Sequence, residues 1–100
     1  MKKSLYKLIS KLRDEEDGCS WNKKQTHDTL LPYLIEETYE LVDAIKNNGN
    51  IQEELGDLLL QILLHSKIEE ERGNFNIVDV TDNLSKKIIR RHPHVFKKKK

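Results

Sequence analysis

The segment EELGDLLLQILLH, residues 53–65, constrains the fold of this chain more than any other stretch. At about 100° per residue, its leucine and isoleucine side chains point in nearly every direction around a helix, as they do in a central, buried helix. One line of the helix is polar instead and carries Glu54, Asp57, Gln61 and His65. Because an isolated charge in an apolar interior is costly, this polar line predicts a partner elsewhere in the chain that compensates it.

The sequence upstream of this segment predicts two helices separated by a loop. Apolar residues at helical spacing indicate a first helix that ends near residue 13, and the polar stretch 14–25 predicts a loop. We expect Asp28 or Thr29 to cap the second helix, which places Pro32 in the first turn, where its missing N–H costs little. The predicted inner face of this helix consists of Leu34, Ile35, Thr38, Leu41, Val42 and Ile45.

Two further helices follow, and no strand-like alternation competes with them. The third helix is predicted over about 51–72, after a turn in which Gly49 is suited to a left-handed conformation. Gly56 inside this helix costs roughly 1 kcal/mol relative to alanine, which suggests that another backbone passes close to it. The fourth helix is predicted over about 77–91 and is stopped by Pro93. The pattern predicts an all-α, four-helix bundle-like fold.

Length and composition indicate one small domain, residues 1–100, with a frayed lysine tail at 97–100. The formal net charge of +1 argues against a dedicated nucleic-acid binder, and apolar runs of at most three residues are too short to cross a membrane. The only cysteine, Cys19, indicates a reducing, cytoplasmic location. Since so short a chain can hardly cover a helix that is apolar on most sides, we expect a homodimer with a shared core and leave a tetramer open.

Acidic residues are spaced three apart on both central helices. Glu37 and Glu40 leave one face of the second helix, Glu54 and Asp57 leave one face of the third, and the short connection 46–50 makes the two helices antiparallel neighbours. Four facing carboxylates raise one another's pKa unless a cation neutralises them, and Mg²⁺ prefers oxygen ligands of this kind. The pairs predict a Mg²⁺ site, with Mn²⁺ as a substitute. A solvated acidic surface is the alternative interpretation.

Three blocks of sequence resemble the MazG-type nucleoside triphosphate pyrophosphohydrolases, which belong to the all-α NTP pyrophosphatase superfamily. EETYE at 36–40 and EELGD at 53–57 match the family's E-x-x-E and E-x-x-D pattern. GCSWNKKQTHDTL at 18–30 is similar to its Gly-Cys-Pro-Trp-Asp loop followed by Gln-Thr-His, and RRHPHVF at 90–96 is similar to its C-terminal ending. The resemblance extends over about 12–96.

The resemblance implies hydrolysis of a (d)NTP to the (d)NMP and pyrophosphate, in nucleotide-pool housekeeping. It makes Glu36 and Glu53 candidates for orienting the attacking water or a second ion. It places Lys87 and Arg91 at the substrate phosphates, where the alternative is an interaction with the helix C-terminus. Trp21 either stacks on the base or packs the loop onto the bundle. The implied Mg²⁺ ligands are Glu37, Glu40, Glu54 and Asp57.

Some features depart from the family or leave other functions open. Ser20 and Asn22 replace the proline and aspartate of the loop, and many relatives carry two such domains in tandem, so this chain is either a stand-alone form or half of a longer one. The rival function is a non-catalytic helical module for dimerisation or regulation. A nucleic-acid-binding bundle using the basic residues of 86–91 is less favoured, because aromatic residues are not interleaved there. His65 is expected to be hydrogen-bonded at the rim of the polar line.

Overall fold

The computed structural model describes residues 3–96, and within that range it contains helices and no strand, which confirms the all-α prediction. The lysine tail predicted to fray at 97–100 lies outside the described residues. None of the helices in the described part of the chain combines the length and apolar composition that crossing a bilayer requires. The helices are α1 Lys3–Leu12, α2 Ser20–Lys23, α3 His27–Lys46, α4 Ile51–Glu71, α5 Ile77–Arg91 and α6 Pro93–Phe96.

The core lies at one end of the antiparallel pair α3 and α4. His27 on α3 contacts Glu69 on α4 at this end, while Glu40 and Glu54 face each other toward the other end. Helix α1 packs against the C-terminal half of α4, and α5 begins beside it. The buried hydrophobic cluster consists of Ile9, Leu30, Leu63, Leu64, Ile68 and Ile77.

The sequence reasoning missed two short helices. Helix α2 lies inside the stretch predicted as a loop. It could not be recognised from the sequence, because it has only four residues, three of them polar, and these show no apolar period. Pro93 does follow the end of α5, but it also begins α6, where the first helical position tolerates its missing N–H. The predicted bounds of α4 and α5 agree with the structure to within one residue.

The start of α3 differs from the prediction by a few residues. Thr26 is the cap, and it exchanges hydrogen bonds with Thr29 in a capping box: the Thr29 N–H donates to Thr26 Oγ1 at 3.3 Å, and the Thr26 N–H donates to Thr29 Oγ1 at 2.8 Å. The prediction of a cap at Asp28 or Thr29 was therefore wrong. With α3 beginning at His27, Pro32 falls in the second turn and not in the first.

Two predictions about glycines were also wrong. The left-handed residue between α3 and α4 is Asn48, with φ of 55°, and not Gly49. The space at Gly49 is tight, because a Cβ there would lie 3.1 Å from the Cα of Ala44. Among the described residues of the single chain, no other backbone lies near Gly56, where an added Cβ would meet nothing within 4 Å. Gly73, after α4, has φ of 77°, which suits it to close that helix.

The predicted inner face of α3 is largely uncovered in the single chain. Ile35, Val42 and Ile45 are 57%, 42% and 56% exposed, and α3 buries Leu30 and Ala44 instead. The described chain is also extended, with a Cα radius of gyration of 16.5 Å. A compact domain of 100 residues has a radius of gyration of about 13 Å. A broad apolar surface on α3 and α4 thus faces away from the core of the chain.

Candidate active site

The structure brings the four predicted metal ligands together. Glu37 and Glu40 project from α3, Glu54 and Asp57 project from α4, and one carboxylate oxygen from each lies within 4.8 Å of the others. The three-residue spacing puts each pair on one helix face, and the antiparallel packing turns the two faces toward each other. Oxygen ligands on opposite sides of a Mg²⁺ ion are about 4.2 Å apart, so this cluster has the dimensions of a cation site.

Among the described residues, no positive charge neutralises the four carboxylates of the cluster. Burial and the neighbouring carboxyl of Glu40 raise the pKa of Glu37 to about 7. Burial also raises the pKa of Glu54, with the charges of Glu40 and Asp57 adding to the effect. Buried oxygens of Glu37 (Oε2) and Glu54 (Oε1) have no hydrogen-bond partner among the residues that the structure describes. Oxygen donors in this state fit a hard divalent cation, which would accept their lone pairs and cancel their repulsion.

The polar line of α4 continues beyond the cluster to a histidine pair. His65 is hydrogen-bonded through Nδ1 to Nδ1 of His27 at 2.6 Å, and His27 Nε2 bonds the carboxylate of Glu69. The partner of His65 therefore comes from the start of α3. The contacts of His27 with His65 and Glu69 were not predicted from the sequence. The Gln-Thr-His motif of the loop is the signal that could have drawn attention to His27.

The histidine pair predicts an acid sensitivity that is specific to His65. The two Nδ1 atoms are within hydrogen-bond distance of each other, and the pKa of His65 lies below its usual 6.5, mainly because of burial and secondarily because of the charge of His27. Because the unfolded chain then binds the proton more readily, His65 contributes stability above pH 6.5 that is lost as the pH falls below it. We expect the melting temperature of the protein to fall by about 3 °C more than that of His65→Gln between about pH 7.5 and about pH 5.5.

The comparison with His65→Gln is needed because acid has the opposite effect on stability through Glu37 and Glu54. Their raised pKa values mean that acid relieves repulsion in the folded state, and this effect is present in both proteins. The raised-pKa carboxyls therefore cancel in the difference between the two melting curves. Equal pH dependence of the two proteins would contradict a lowered pKa of His65 in the folded state.

The other predicted site residues lie outside the cluster. Glu36 is exposed, and Glu53 is exposed with its carboxylate accepting a 3.3 Å hydrogen bond from Asn50 at the cap of α4. Lys87 is half-buried and Arg91 is exposed on α5. Among the residues that the structure describes, neither forms a hydrogen bond or ion pair with the four carboxylates. A single chain thus assembles the acidic part of the predicted site but not its basic part.

Trp21 lies on α2 and is 44% exposed, so it is not a core residue. Its ring meets Tyr33 edge to face, with ring centroids 5.4 Å apart and an interplanar angle of 88°. Tyr33 precedes Glu37 by one turn of α3, so the aromatic pair lies about one turn from the acidic cluster. The sequence reasoning missed Tyr33 as the partner, because it gave no position for the loop relative to α3.

Comparison with known proteins relates the chain that carries this site to a protein family. A family model described as the MazG nucleotide pyrophosphohydrolase domain matches residues 25–96, which include all four carboxylates. The nucleoside triphosphate pyrophosphohydrolase/pyrophosphatase MazG of Thermotoga maritima is 56% identical over 94 residues, which are 92% of this chain. Proteins named nucleoside triphosphate pyrophosphohydrolase are 45% identical over 94 residues in Escherichia coli (strain K12) and 49% identical over 93 residues in Mycobacterium tuberculosis.

These relatives are considerably longer than the present chain. The matched region is 36% of the Thermotoga maritima protein, 36% of the Escherichia coli protein and 28% of the Mycobacterium tuberculosis protein. On the present chain's side, the matches cover 92%, 92% and 89% of its length, respectively. The similarity thus includes nearly the whole of this chain but only about a third of each relative.

Proposed function

Because this chain belongs to the MazG nucleotide pyrophosphohydrolase domain family, we propose that it hydrolyses nucleoside triphosphates, with ribose or deoxyribose, to the monophosphate and pyrophosphate. The observation that carries the proposal is the convergence of four carboxylates within 4.8 Å, with two buried oxygens lacking partners. The names of the relatives support the same reaction. The unpaired, exposed thiol of Cys19 fits the reducing cytoplasm that we propose as its location.

We assign Mg²⁺, with Mn²⁺ as a substitute, to the acidic cluster. Bound there, the ion would supply charge neutralisation on the phosphates and polarise the α-phosphorus. Glu36 and Glu53, which adjoin the ligands in sequence, orient the attacking water and accept its proton. The water oxygen adds to the α-phosphorus, the bond from that phosphorus to the α–β bridging oxygen breaks, and pyrophosphate leaves. The assigned ligands are Glu37, Glu40, Glu54 and Asp57.

The rest of the substrate is assigned to Trp21, Lys87 and Arg91. The exposed face of the Trp21 ring is available to stack on the base, since its pairing with Tyr33 is edge to face. Lys87 and Arg91 bind the phosphates, for which an ammonium and a guanidinium are both suited. Neither contacts the cluster within one chain, and we propose that packing of a second subunit completes this basic part of the site.

A second copy of this chain is the proposed cover for the exposed apolar surface. The surface area of the chain is 7886 Å². A compact chain of this size has roughly 5,900 Å², so about 2,000 Å² is in excess, which is more than the roughly 800 Å² that each partner buries in a standard interface and is in the range of large homodimer interfaces. Most of the exposed apolar residues recur at intervals of three, four or seven positions, as in the seams of helix bundles. On α3 and α4 these are Leu31, Ile35, Val42, Ile45, Ile51, Leu55, Leu59 and Ile62, and Tyr33, Tyr39 and Leu60 are exposed on the same two helices.

The proposed reaction is tested by product identity. The protein is incubated with a panel of NTPs and dNTPs and Mg²⁺, and the products are followed by phosphorus NMR. The expected products are pyrophosphate and NMP, and their formation should stop when the metal is chelated. Phosphate with NDP would contradict the assignment of the α-phosphorus as the point of attack. A non-catalytic helical module would show no turnover and no change in melting temperature on addition of Mg²⁺.

The pH dependence of metal binding provides an independent prediction. A protonated Glu37 cannot act as a ligand, and the pKa of this carboxyl is raised to about 7 in the metal-free protein. Below that pKa the proton competes with the metal, so we expect the affinity for Mn²⁺ to increase about tenfold from about pH 6 to about pH 8. Calorimetric titration measures this increase. The Glu37→Gln variant should bind more weakly and with a flatter pH profile, whereas a pH-independent affinity in the unchanged protein would contradict the assignment.

A further inference from the structure

We propose that Arg13 is a positioning residue, whose buried guanidinium fixes the segment that carries Trp21 and thereby holds one wall of the nucleotide site. The side chain is distant in sequence from every predicted site residue on α3 and α4. It is nonetheless only 9% exposed, which is unusual for an arginine unless its charge is paired and its N–H groups are bonded. The nucleotide part of this inference rests on the proposed function, and the fixing of the segment does not.

One side of the guanidinium binds the end of α4. Arg13 Nε donates to Oε2 of Glu71 at 2.8 Å, and Nη2 donates to Oε1 of the same carboxylate at 2.9 Å. This is a two-point contact between the planar guanidinium and the planar carboxylate, which only an arginine can form. Glu71 is the last residue of α4, so the pair fixes Arg13 to the rigid central helix.

The other side of the guanidinium binds the backbone around α2. Arg13 Nη1 donates to the carbonyl oxygen of Asn22 at 2.6 Å and to that of Gln25 at 3.1 Å. Four of the five N–H groups are therefore used. The Gln25 side chain in turn donates to the carbonyl oxygen of Trp21 at 3.0 Å. The peptide groups that follow Trp21 are thus tied to α4, directly by Arg13 at Asn22 and Gln25, and through the Gln25 side chain at the Trp21 carbonyl.

The start of the same segment is held without Arg13. The Gly18 N–H donates to the carbonyl oxygen of Asp14, and the Cys19 N–H donates to that of Leu12, both at 2.9 Å. A change at Arg13 should therefore leave the segment attached at its start and release only α2. Because the Trp21 ring lies against Tyr33, about one turn from the acidic cluster, this release would displace the surface on which the base stacks.

Trp21 is the only tryptophan in the chain, so its fluorescence reports directly on this segment. In Arg13→Lys, one ammonium group cannot serve Glu71 and both carbonyl groups. We expect the acrylamide quenching constant of Trp21 to increase about twofold, and KM to rise about tenfold with kcat within about twofold of the unchanged protein. Arg72→Lys is the matched control, because Arg72 lies next to Glu71 but has an exposed side chain, which pairs with Glu69 at 3.3 Å. It should change neither quantity.

A double-mutant cycle separates positioning from general stability. In a Trp21→Ala background, Arg13→Lys should no longer raise KM, because the side chain through which it acts is gone. An unchanged quenching constant in Arg13→Lys would overturn the inference, and so would an equal rise of KM in both backgrounds. If Arg13→Lys does not fold, Glu71→Gln weakens the same pair and should shift quenching and KM in the same direction by a smaller factor.

Failure of the proposed function would be distinguishable from failure of this inference. If the unchanged protein neither binds nor hydrolyses nucleotides, the proposed function and the KM part of the inference are both overturned. The quenching contrast between Arg13→Lys and Arg72→Lys would still decide whether Arg13 fixes the Trp21 segment. If turnover is present and quenching is unchanged, only the role of Arg13 is overturned.

Discussion

Replacing Glu54 by glutamine or Asp57 by asparagine is expected to reduce kcat/KM for the NTP by about 1,000-fold or more, without unfolding the protein. Each substitution removes one charged oxygen ligand from the cluster and preserves the shape of the side chain. The remaining three carboxylates would hold the cation more weakly and out of position relative to the α-phosphorus. Steady-state assays of pyrophosphate release at saturating Mg²⁺ measure the loss.

The same substitutions should make the metal-free protein more stable. Burial and neighbouring carboxyls raise the pKa of Glu54, so the charged form of this group is unfavourable in the fold when no cation is present. A neutral amide removes that repulsion, and we expect a higher melting temperature in the absence of metal together with a smaller gain on adding Mg²⁺. Asp82→Asn, at an exposed acid of α5, is the control and should change neither activity nor metal response. Loss of activity accompanied by unfolding would contradict the functional assignment.

Introducing charge on the exposed apolar surface of α3 is expected to have the second large effect. In Ile35→Asp/Val42→Asp, two carboxylates would have to be buried against the second subunit without partners, at a cost of several kcal/mol each. We expect the mass in solution to fall from a multiple of 11.8 kDa to 11.8 kDa itself, while the helix content is retained. Light scattering with circular dichroism measures both quantities and also distinguishes a dimer from a tetramer before the change.

The activity of the double variant should fall when its subunits dissociate, because Lys87 and Arg91 do not reach the acidic cluster within one chain. Leu8→Asp is the matched control, since Leu8 on α1 is an apolar residue that is 63% exposed and lies outside the proposed interface. It should leave the mass and the activity unchanged. A monomeric mass for the unchanged protein at micromolar concentration would contradict the proposed dimer, as would full activity of a monomeric double variant.

Spacing along the chain was sufficient to predict the features that depend on neighbours within a helix. The three-residue intervals of Glu37–Glu40 and Glu54–Asp57 determine which side chains share a face, and the short turn between α3 and α4 determines that those faces meet. The ends of α4 and α5 were also predictable, because Gly73 and Pro93 signal them locally. The fold class and the positions of the acidic residues therefore followed from the sequence.

Contacts between residues far apart in sequence could not be predicted in this way. Nothing in the spacing indicates that Arg13 meets Glu71 or that His27 meets His65, because these pairs depend on how the helices pack. The apolar stripe of α3 also shows what spacing along the sequence cannot predict. Its period identifies an apolar side, but it does not say whether the same chain or another copy covers that side, and Ile35 was wrongly placed on the inner face for this reason.

The location of a bound cation tests the central claim most directly. Crystals grown with Mn²⁺ and a non-hydrolysable NTP analogue would show the ion by its anomalous scattering. We predict one peak among the four carboxylates, about 2.2 Å from their oxygens, with the phosphates of the analogue completing its coordination. A peak elsewhere, or diverging side chains with no ion among them, would contradict the account. The residues concerned are Glu37, Glu40, Glu54 and Asp57.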